Sequence, residues 1–190
     1  MAEPRAAVRF TIADLEVMPD DEWRRYEIID GELFVSKAPR IEHQGVCRDC
    51  AVALTNWNEQ TGLREVLPGP GLVFGEADSV IPDLVWVSRE RLALIVGDDG
   101  HLHGAPELVV EVLSPGATNE RRDREAKLKL YSVQGVREYW IADWRAQTVM
   151  VYRRHEAQLR LEATLGRGDT LTSPLLPGFA LAVERLFARA

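Results

Sequence analysis

The chain has 190 residues, a formal net charge of −7 and two cysteines. Its length suits one domain with a sizeable core, and its acidic balance argues against a general nucleic-acid coat, which would normally be basic. Two cysteines imply no disulfide framework and no apolar stretch is long enough to span a bilayer, so we expect a cytoplasmic protein without a membrane partner.

The first third of the chain alternates helical and extended patterns. A short helix and turn are predicted over 11–23, with Thr11 as the N-cap. Residues 26–37 predict two strands joined at Asp30-Gly31, a dipeptide typical of tight hairpins. Apolar residues at helical spacing then predict a helix over 42–60, and residues 66–74 predict a strand interrupted by a Pro/Gly cluster.

Two apolar runs in the middle of the chain each contain one carboxylate. Residues 106–115 predict a strand that is buried on both faces, with Glu111 near its end. Residues 80–87 predict a second buried strand, headed by Asp83. A helix over 121–134 and a strand pair follow, so we predict one α/β (α+β) domain over 1–190.

A charged side chain in a buried strand is costly unless something compensates it. Asp83 and Glu111 would therefore need a cation between them, and their oxygens suit a hard divalent ion, Mg²⁺ or Mn²⁺. The backbone carbonyl of Val112 is a further candidate ligand. Such an ion polarises a phosphate and activates bound water.

The helix over 121–134 offers a cationic side chain for the same site. Three of the 23 basic residues are lysines, and a compact ammonium is not equivalent to a guanidinium. Helical spacing places Lys127 on the inward face with Leu130 and Tyr131, and it places Lys129 and Arg122 on the outward face. Lys127 would then orient the nucleophile, although a buried salt bridge from Lys127 to either carboxylate without metal is the structural alternative.

Six segments, in order, resemble the Uma2 family of the PD-(D/E)xK, restriction-endonuclease-like superfamily. The resemblance covers about residues 26–187 and is carried by YEIIDGEL, PDLVWVS, PELVVEVLSPGAT, DREAKLKLY, GVREYWIAD and TVMVYR. It implies a mixed central sheet flanked by helices, here with an N-terminal hairpin extension, and a metal site at Asp83 and Glu111. The superfamily's usual lysine position holds Leu113, and Lys127 matches a migrated lysine. Glu32 and His43 fall in family-like positions near the auxiliary acidic residue of the superfamily.

Other patterns have a simpler interpretation. His43, Cys47 and Cys50 share one helical face, but no second Cys/His pair has the spacing of a structural zinc site, so the cysteines are interpreted as core residues. The arginines at 121, 122 and 124 are either a solvated face or contacts to a nucleic-acid backbone.

Two functions from different classes follow. The first is a metal-dependent endonuclease that hydrolyses DNA phosphodiester bonds, acting as a homodimer because one site per chain must cut two strands. The second is a catalytically weak or inactive nuclease-fold module that binds DNA or another partner and keeps Asp83, Glu111 and Lys127 as a buried charge network.

Overall fold

The two carboxylate-bearing apolar runs become neighbouring strands in the centre of a mixed sheet. A computed structural model of the chain describes residues 8–19, 23–61 and 64–188. The helices are α1 Ile12–Glu16, α2 Ile41–Thr61, α3 Arg89–Ile95, α4 Ala117–Arg121 and α5 Lys127–Gln134, with a π-helical turn over Arg122–Ala126 and a 3-10 turn over Val183–Leu186. The strands are β1 Arg24–Ile29, β2 Glu32–Lys37, β3 Arg64–Pro68, β4 Leu72–Gly75, β5 Asp78–Val80, β6 Leu84–Ser88, β7 Leu108–Val112, β8 Glu138–Asp143, β9 Thr148–His155, β10 Gln158–Leu165, β11 Thr170–Thr172 and β12 Ala180–Ala182.

The main sheet has the strand order β10-β9-β8-β7-β6-β3 within the described residues. The strands β7 and β8 pair in parallel and their outer neighbours pair antiparallel, which makes the sheet mixed. The helical segment from α4 to α5 is the crossover that joins the parallel pair, as parallel strands require. Every residue of β7 is buried, which confirms the prediction from the apolar run.

Side-chain alternation gives the main sheet two apolar faces. Leu84 and Val110 face α2, which packs on them through Val46 and Leu54. Residues of the opposite parity in the same strands, with Val109 among them, pack against α5. Cys50 is buried in the first of these clusters and Cys47 packs against it, so the interpretation of the cysteines as core residues is confirmed.

The predicted hairpin forms around Asp30 and Gly31, whose φ angles of 50° and 71° give the positive values that such a turn needs. It is also part of a larger element. β1 pairs with β5, so the hairpin belongs to a second sheet with the order β2-β1-β5-β4. The first half of β1 thereby lies next to the residues that lead into β6, with the Arg25 guanidinium 3.8 Å from Asp83.

Two predicted helices differ from those observed. The opening helix covers Ile12–Glu16, and residues 20–22 of the predicted segment lie outside the described residues. The helix predicted over 121–134 contains a π-helical turn over Arg122–Ala126. Within the described residues, no helix has the length and apolar character that crossing a bilayer requires. The single domain over 1–190 stays a prediction.

Candidate active site

Asp83 and Glu111 lie at adjacent ends of neighbouring strands. β6 and β7 are antiparallel, with Leu84 opposite Val110. Continuing that register by one residue brings Asp83 opposite Glu111, where facing side chains are neighbours. Asp83 accepts a hydrogen bond of 2.8 Å from the backbone N–H of Val112, so the three candidate metal-binding residues adjoin.

Lys127 points into this region, as its helical spacing predicts. Its ammonium donates to Glu111 Oε1 at 2.7 Å and lies 2.8 Å from Glu27 Oε1. The Lys127 side chain is 1% exposed, whereas that of Lys129 is 75% exposed. The hydroxyl of Tyr131, one turn further along α5, donates to the same Glu111 oxygen at 3.1 Å. Lys127 is therefore fixed between two carboxylates.

Glu27 is a functional candidate that sequence reasoning missed. Its side chain is 3% exposed, and besides contacting Lys127 it accepts a hydrogen bond of 2.8 Å from Ile81 N. Glu32, the residue singled out by the resemblance, lies past the turn and is 58% exposed, paired with Arg121 at 2.7 Å. The sequence did hold a signal that could have pointed to Glu27, because this carboxylate stands among apolar residues of a predicted strand.

The predicted outward orientation of Arg122 is wrong. Arg122 is buried, with its guanidinium 2.8 Å from Asp123 Oδ1 and 3.3 Å from Glu27 Oε2. The cause is the π-helical turn, in which the backbone N–H of Lys127 donates to the carbonyl of Arg122, five residues earlier. A helical wheel assumes about 100° per residue, and the wider turn changes the phase at this point. Arg122 therefore contacts two carboxylates inside the site.

His43 reaches the site from α2. It is 4% exposed, and its Nε2 lies 3.1 Å from Asp83 Oδ2. Its Nδ1 lies 3.5 Å from the sulfur of Cys47. His43, Cys47 and Asp83 form a group whose candidate ligand atoms lie within 4.8 Å of one another, which is a second way in which Asp83 could share a metal ion. His43 and the Val112 N–H therefore both contact Oδ2 of Asp83 and together orient its carboxylate.

Burial and neighbouring charge separate the pKa values of the site carboxyls. Burial raises the pKa of Glu111 to about 8, with Lys127 opposing the shift and the Asp83, Asp123 and Glu27 carboxylates adding to it. Burial alone would raise the pKa of Asp83, but hydrogen bonding and charge from His43, with the Val112 N–H, bring it below its ordinary value. Burial also raises the pKa of Asp123. Glu111 and Asp123 therefore ionise less readily than exposed carboxyls do.

Acidic side chains outnumber permanent cations in this cluster among the described residues. Four acidic side chains meet here, namely Asp83, Glu111, Glu27 and Asp123, together with two cations that are charged at neutral pH, Lys127 and Arg122. Arg25, 38% exposed, adds a partial contribution at 3.8 Å from Asp83. A divalent cation on Asp83 and Glu111 would favour the ionised form of Glu111, whose pKa is raised without it. Carboxylate oxygens are the ligands that Mg²⁺ and Mn²⁺ prefer, so the residues present fit a hard divalent ion.

The fold is that of a restriction-endonuclease-like protein. The family model of Uma2, described as "Putative restriction endonuclease", matches residues 12–184, and the chain belongs to that family. Membership of this family supports a nuclease-like function. No functionally curated protein matches the chain.

Two solved structures are similar to the chain. One is the crystal structure of "a putative nuclease belonging to DUF820" from Anabaena variabilis, which is 19% identical, covers 94% of this chain and 98% of its own, and has a TM-score of 0.74. The other is the type IIG restriction endonuclease BpuSI, 14% identical over 75% of this chain and 15% of its own, with a TM-score of 0.42. The first of them shows that the two chains share a fold.

Proposed function

We propose that the protein is a metal-dependent endonuclease that hydrolyses phosphodiester bonds of DNA, with Asp83 and Glu111 as the ligands of Mg²⁺ or Mn²⁺. The observation that carries this proposal is the excess of acidic side chains over permanent cations in the cluster, four against two. Burial raises the pKa of Glu111 to about 8, and a divalent cation bound there would favour its ionised form.

When bound, the metal would polarise the phosphate and lower the pKa of a water molecule. Lys127 would donate a hydrogen bond from Nζ to the attacking water and offset the negative charge that develops on the phosphate. Glu27 and Tyr131 would act as positioning residues, the first on the Lys127 ammonium at 2.8 Å and the second on Glu111 at 3.1 Å. The Val112 carbonyl remains our candidate for a further ligand.

Two residues have changed roles relative to the sequence-based proposal. His43, with its Nε2 3.1 Å from Asp83, is proposed to position that carboxylate without contacting the phosphate. Glu27 takes the auxiliary acidic role that the resemblance suggested for Glu32, because Glu27 contacts Lys127 and Glu32 pairs with Arg121 at the surface.

The test is plasmid nicking with Mg²⁺, Mn²⁺ or EDTA, using wild type, Asp83→Asn and Glu111→Gln. We expect cleavage by the wild type with either metal, none with EDTA, and none by the two variants. Wild-type-like cleavage by both variants would refute the assignment of the site. DNA binding without cleavage under every condition would favour the alternative, a non-catalytic DNA-binding module.

Cys47→Ser separates the two ways of holding a metal at Asp83. A hard ion on Asp83 and Glu111 does not use the thiol, so this variant should cleave at a rate within about twofold of wild type. Loss of metal-dependent cleavage in Cys47→Ser would instead favour a softer ion held by His43, Cys47 and Asp83.

A homodimer and a cytoplasmic location stay predictions. Each chain carries one candidate site, and cutting both strands of a duplex with one site per chain favours paired subunits. Light scattering of the purified protein, with and without DNA, would measure its mass; a monomer under both conditions would refute the dimer.

A further inference from the structure

The cleft above Asp83 is too small to admit a nucleotide. Its volume is about 20 Å³, which suits a water molecule or an ion and little more. Its rim includes Arg25, Lys37, Pro39 and Ser114. A polymeric substrate must therefore be held outside the cleft, by side chains on the surface around it.

The first strand of the hairpin leads from the cleft to that outer surface. Successive residues of a strand alternate between its faces, so Glu27 and Arg25 share one face. The backbone N–H of Ala38 donates to the carbonyl of Trp23 at 2.9 Å, which continues the hairpin register by one more pair. The same alternation therefore places Trp23 on the face of Arg25 and Glu27.

Exposure increases steadily along this row of three side chains. Glu27 is 3% exposed, Arg25 is 38% exposed and Trp23 is 72% exposed. The row thus runs from a buried carboxylate that contacts Lys127, through a guanidinium 3.8 Å from Asp83, to an indole at the surface. Neighbouring members are roughly 6.7 Å apart along the strand, about the reach of one extended nucleotide.

Charged residues of both signs adjoin Trp23 in the sequence. Asp20, Asp21 and Glu22 precede it, and Arg24 and Arg25 follow it. Arg25 and Lys37 line the cleft. Arg40, three residues after Lys37, is 63% exposed, and its guanidinium lies 3.3 Å from Glu42 Oε2 and 6.0 Å from the centre of the Trp144 ring. Arg25 is therefore the cation that shares both the strand face of Trp23 and the lining of the cleft.

Trp23 is the one aromatic residue among the strongly exposed large hydrophobic side chains of the described residues. The others are aliphatic, such as Leu94 at 78% and Val133 at 73% exposure. An exposed aromatic ring beside cations is the combination that binds single-stranded nucleic acids, because bases stack on the ring while the cations follow the backbone. Bases inside an intact duplex are already stacked on each other and cannot reach such a ring.

We propose that Trp23 is a stacking platform for an unpaired base of a single-stranded DNA segment, whose backbone is held by Arg25 and Lys37 as it passes the mouth of the cleft. This inference rests on the proposed function and deepens it by naming the form of DNA that the site takes, a locally unpaired segment such as a supercoiled plasmid also exposes. The indole holds a base outside the cleft, and the row along β1 leads the adjoining phosphate towards Asp83.

The test is binding measured in EDTA, so that cleavage plays no part. Fluorescence anisotropy of a labelled oligonucleotide of about a dozen residues gives Kd for the single strand and for the same sequence as a duplex. We expect Trp23→Ala to weaken single-strand binding by about tenfold, from the loss of one stacked base. Trp23→Phe should stay within about twofold of wild type, since it keeps an aromatic face, and Leu94→Ala is the matched control for an exposed apolar truncation.

Salt dependence tests the cations separately. Arg25→Gln should lower the slope of log Kd against log salt by about 0.7, the value for one phosphate contact on a single strand. Arg160→Gln, an exposed arginine on β10, is the charge-matched control and should leave the slope unchanged. Trp23→Ala should also leave the slope unchanged, because the indole carries no charge.

Three outcomes would overturn the proposal. They are single-strand binding by Trp23→Ala equal to that of Leu94→Ala, an equal loss on duplex and single strand, and an Arg25→Gln slope equal to that of Arg160→Gln. Cleavage with Mn²⁺ is measured in parallel on wild type. If binding depends on Trp23 but no cleavage occurs, the stacking role of Trp23 stands and the nuclease function is refuted. If cleavage occurs but binding does not depend on Trp23, the nuclease function stands and the stacking role is refuted.

Discussion

Two buried glutamates lie at opposite ends of the parallel pair β7–β8, and their charges are compensated in different ways. Glu138 starts β8, is 1% exposed, and accepts a hydrogen bond of 2.7 Å from Arg153 and another from the Ser173 hydroxyl. Glu111, near the end of β7, is 2% exposed and shares Lys127 with Glu27. The cation of the first carboxylate otherwise contacts the exposed Glu162, 3.7 Å away, whereas the cation of the second lies between two buried carboxylates.

The difference separates a structural ion pair from a candidate site. Glu138 is the one buried carboxylate on its guanidinium among the described residues, so its charge is compensated without a further cation. The Glu111 cluster has more acidic side chains than permanent cations, and two of them, Asp83 and Glu27, line a small cleft in which a divalent ion and water would be accommodated. Burial of a glutamate alone would not have distinguished the two, since both are almost fully buried.

The largest expected effect is on cleavage. Glu111→Gln should lower the cleavage rate by about 10³-fold, because removing one charged group from a preorganised site costs about that much. Glu138→Gln, the matched buried glutamate, should cleave at a rate close to wild type. Rates from plasmid nicking at saturating Mn²⁺ measure both, and an equal loss in the two variants would mean that only folding had been disturbed.

The next effect is on stability. Lys127→Met and Arg153→Met each leave a buried carboxylate without its cation, so each should lower the free energy of unfolding by about 3–5 kcal/mol in EDTA. Added Mg²⁺ or Mn²⁺ should restore part of that loss in Lys127→Met alone, because only its cluster can take up an ion. Urea unfolding with and without metal measures the free energy of unfolding of both variants. If metal restored stability in Arg153→Met as well, the Glu111 cluster would not differ from the Glu138 ion pair.

Metal should also stabilise the wild type. A ligand at one hundred times its Kd adds about 2.7 kcal/mol when it binds only the native state, which for a chain of this length raises Tm by about 5–10 °C. Asp83→Asn should abolish the rise, and Glu138→Gln should keep it. Thermal unfolding by circular dichroism measures Tm for all three proteins. A metal-dependent rise in Tm that persists in Asp83→Asn would mean that the ion binds elsewhere.

The smallest expected effect compares the two glutamates around the hairpin turn. Glu27→Gln should lower cleavage by about tenfold or more, because it weakens the hold on the Lys127 ammonium. Glu32→Gln should leave cleavage within about twofold of wild type, since Glu32 contacts Arg121 at the surface. The reverse order would support the role that the resemblance assigned to Glu32.

Strand parity and apolar runs made the central part of the molecule predictable. The strands around Asp83 and Glu111, the hairpin at Asp30-Gly31 and the inward direction of Lys127 all depend on local patterns, and the structure confirms each of them. The resemblance drew attention to Glu32 instead of Glu27, although Glu27 lies inside the buried strand.

The orientation of Arg122 could not be obtained in the same way. A helical wheel carries one phase through the whole segment, and the π-helical turn over Arg122–Ala126 interrupts it. Nothing in the composition of the segment marks that turn. The second sheet was equally hidden, since pairing of β1 with β5 joins residues that are far apart in the sequence.

The π-helical turn makes the site sensitive to chain length. It allows Arg122 and Lys127, five positions apart, to reach the same carboxylate, Glu27. Deleting one residue between them would turn the segment into an ordinary α-helix and rotate one of the two cations away by about 100°. A substitution changes one contact of this cluster, whereas a single-residue deletion would separate its two cations. We therefore expect related chains to vary in residue type at 122–126 and to keep the number of residues there.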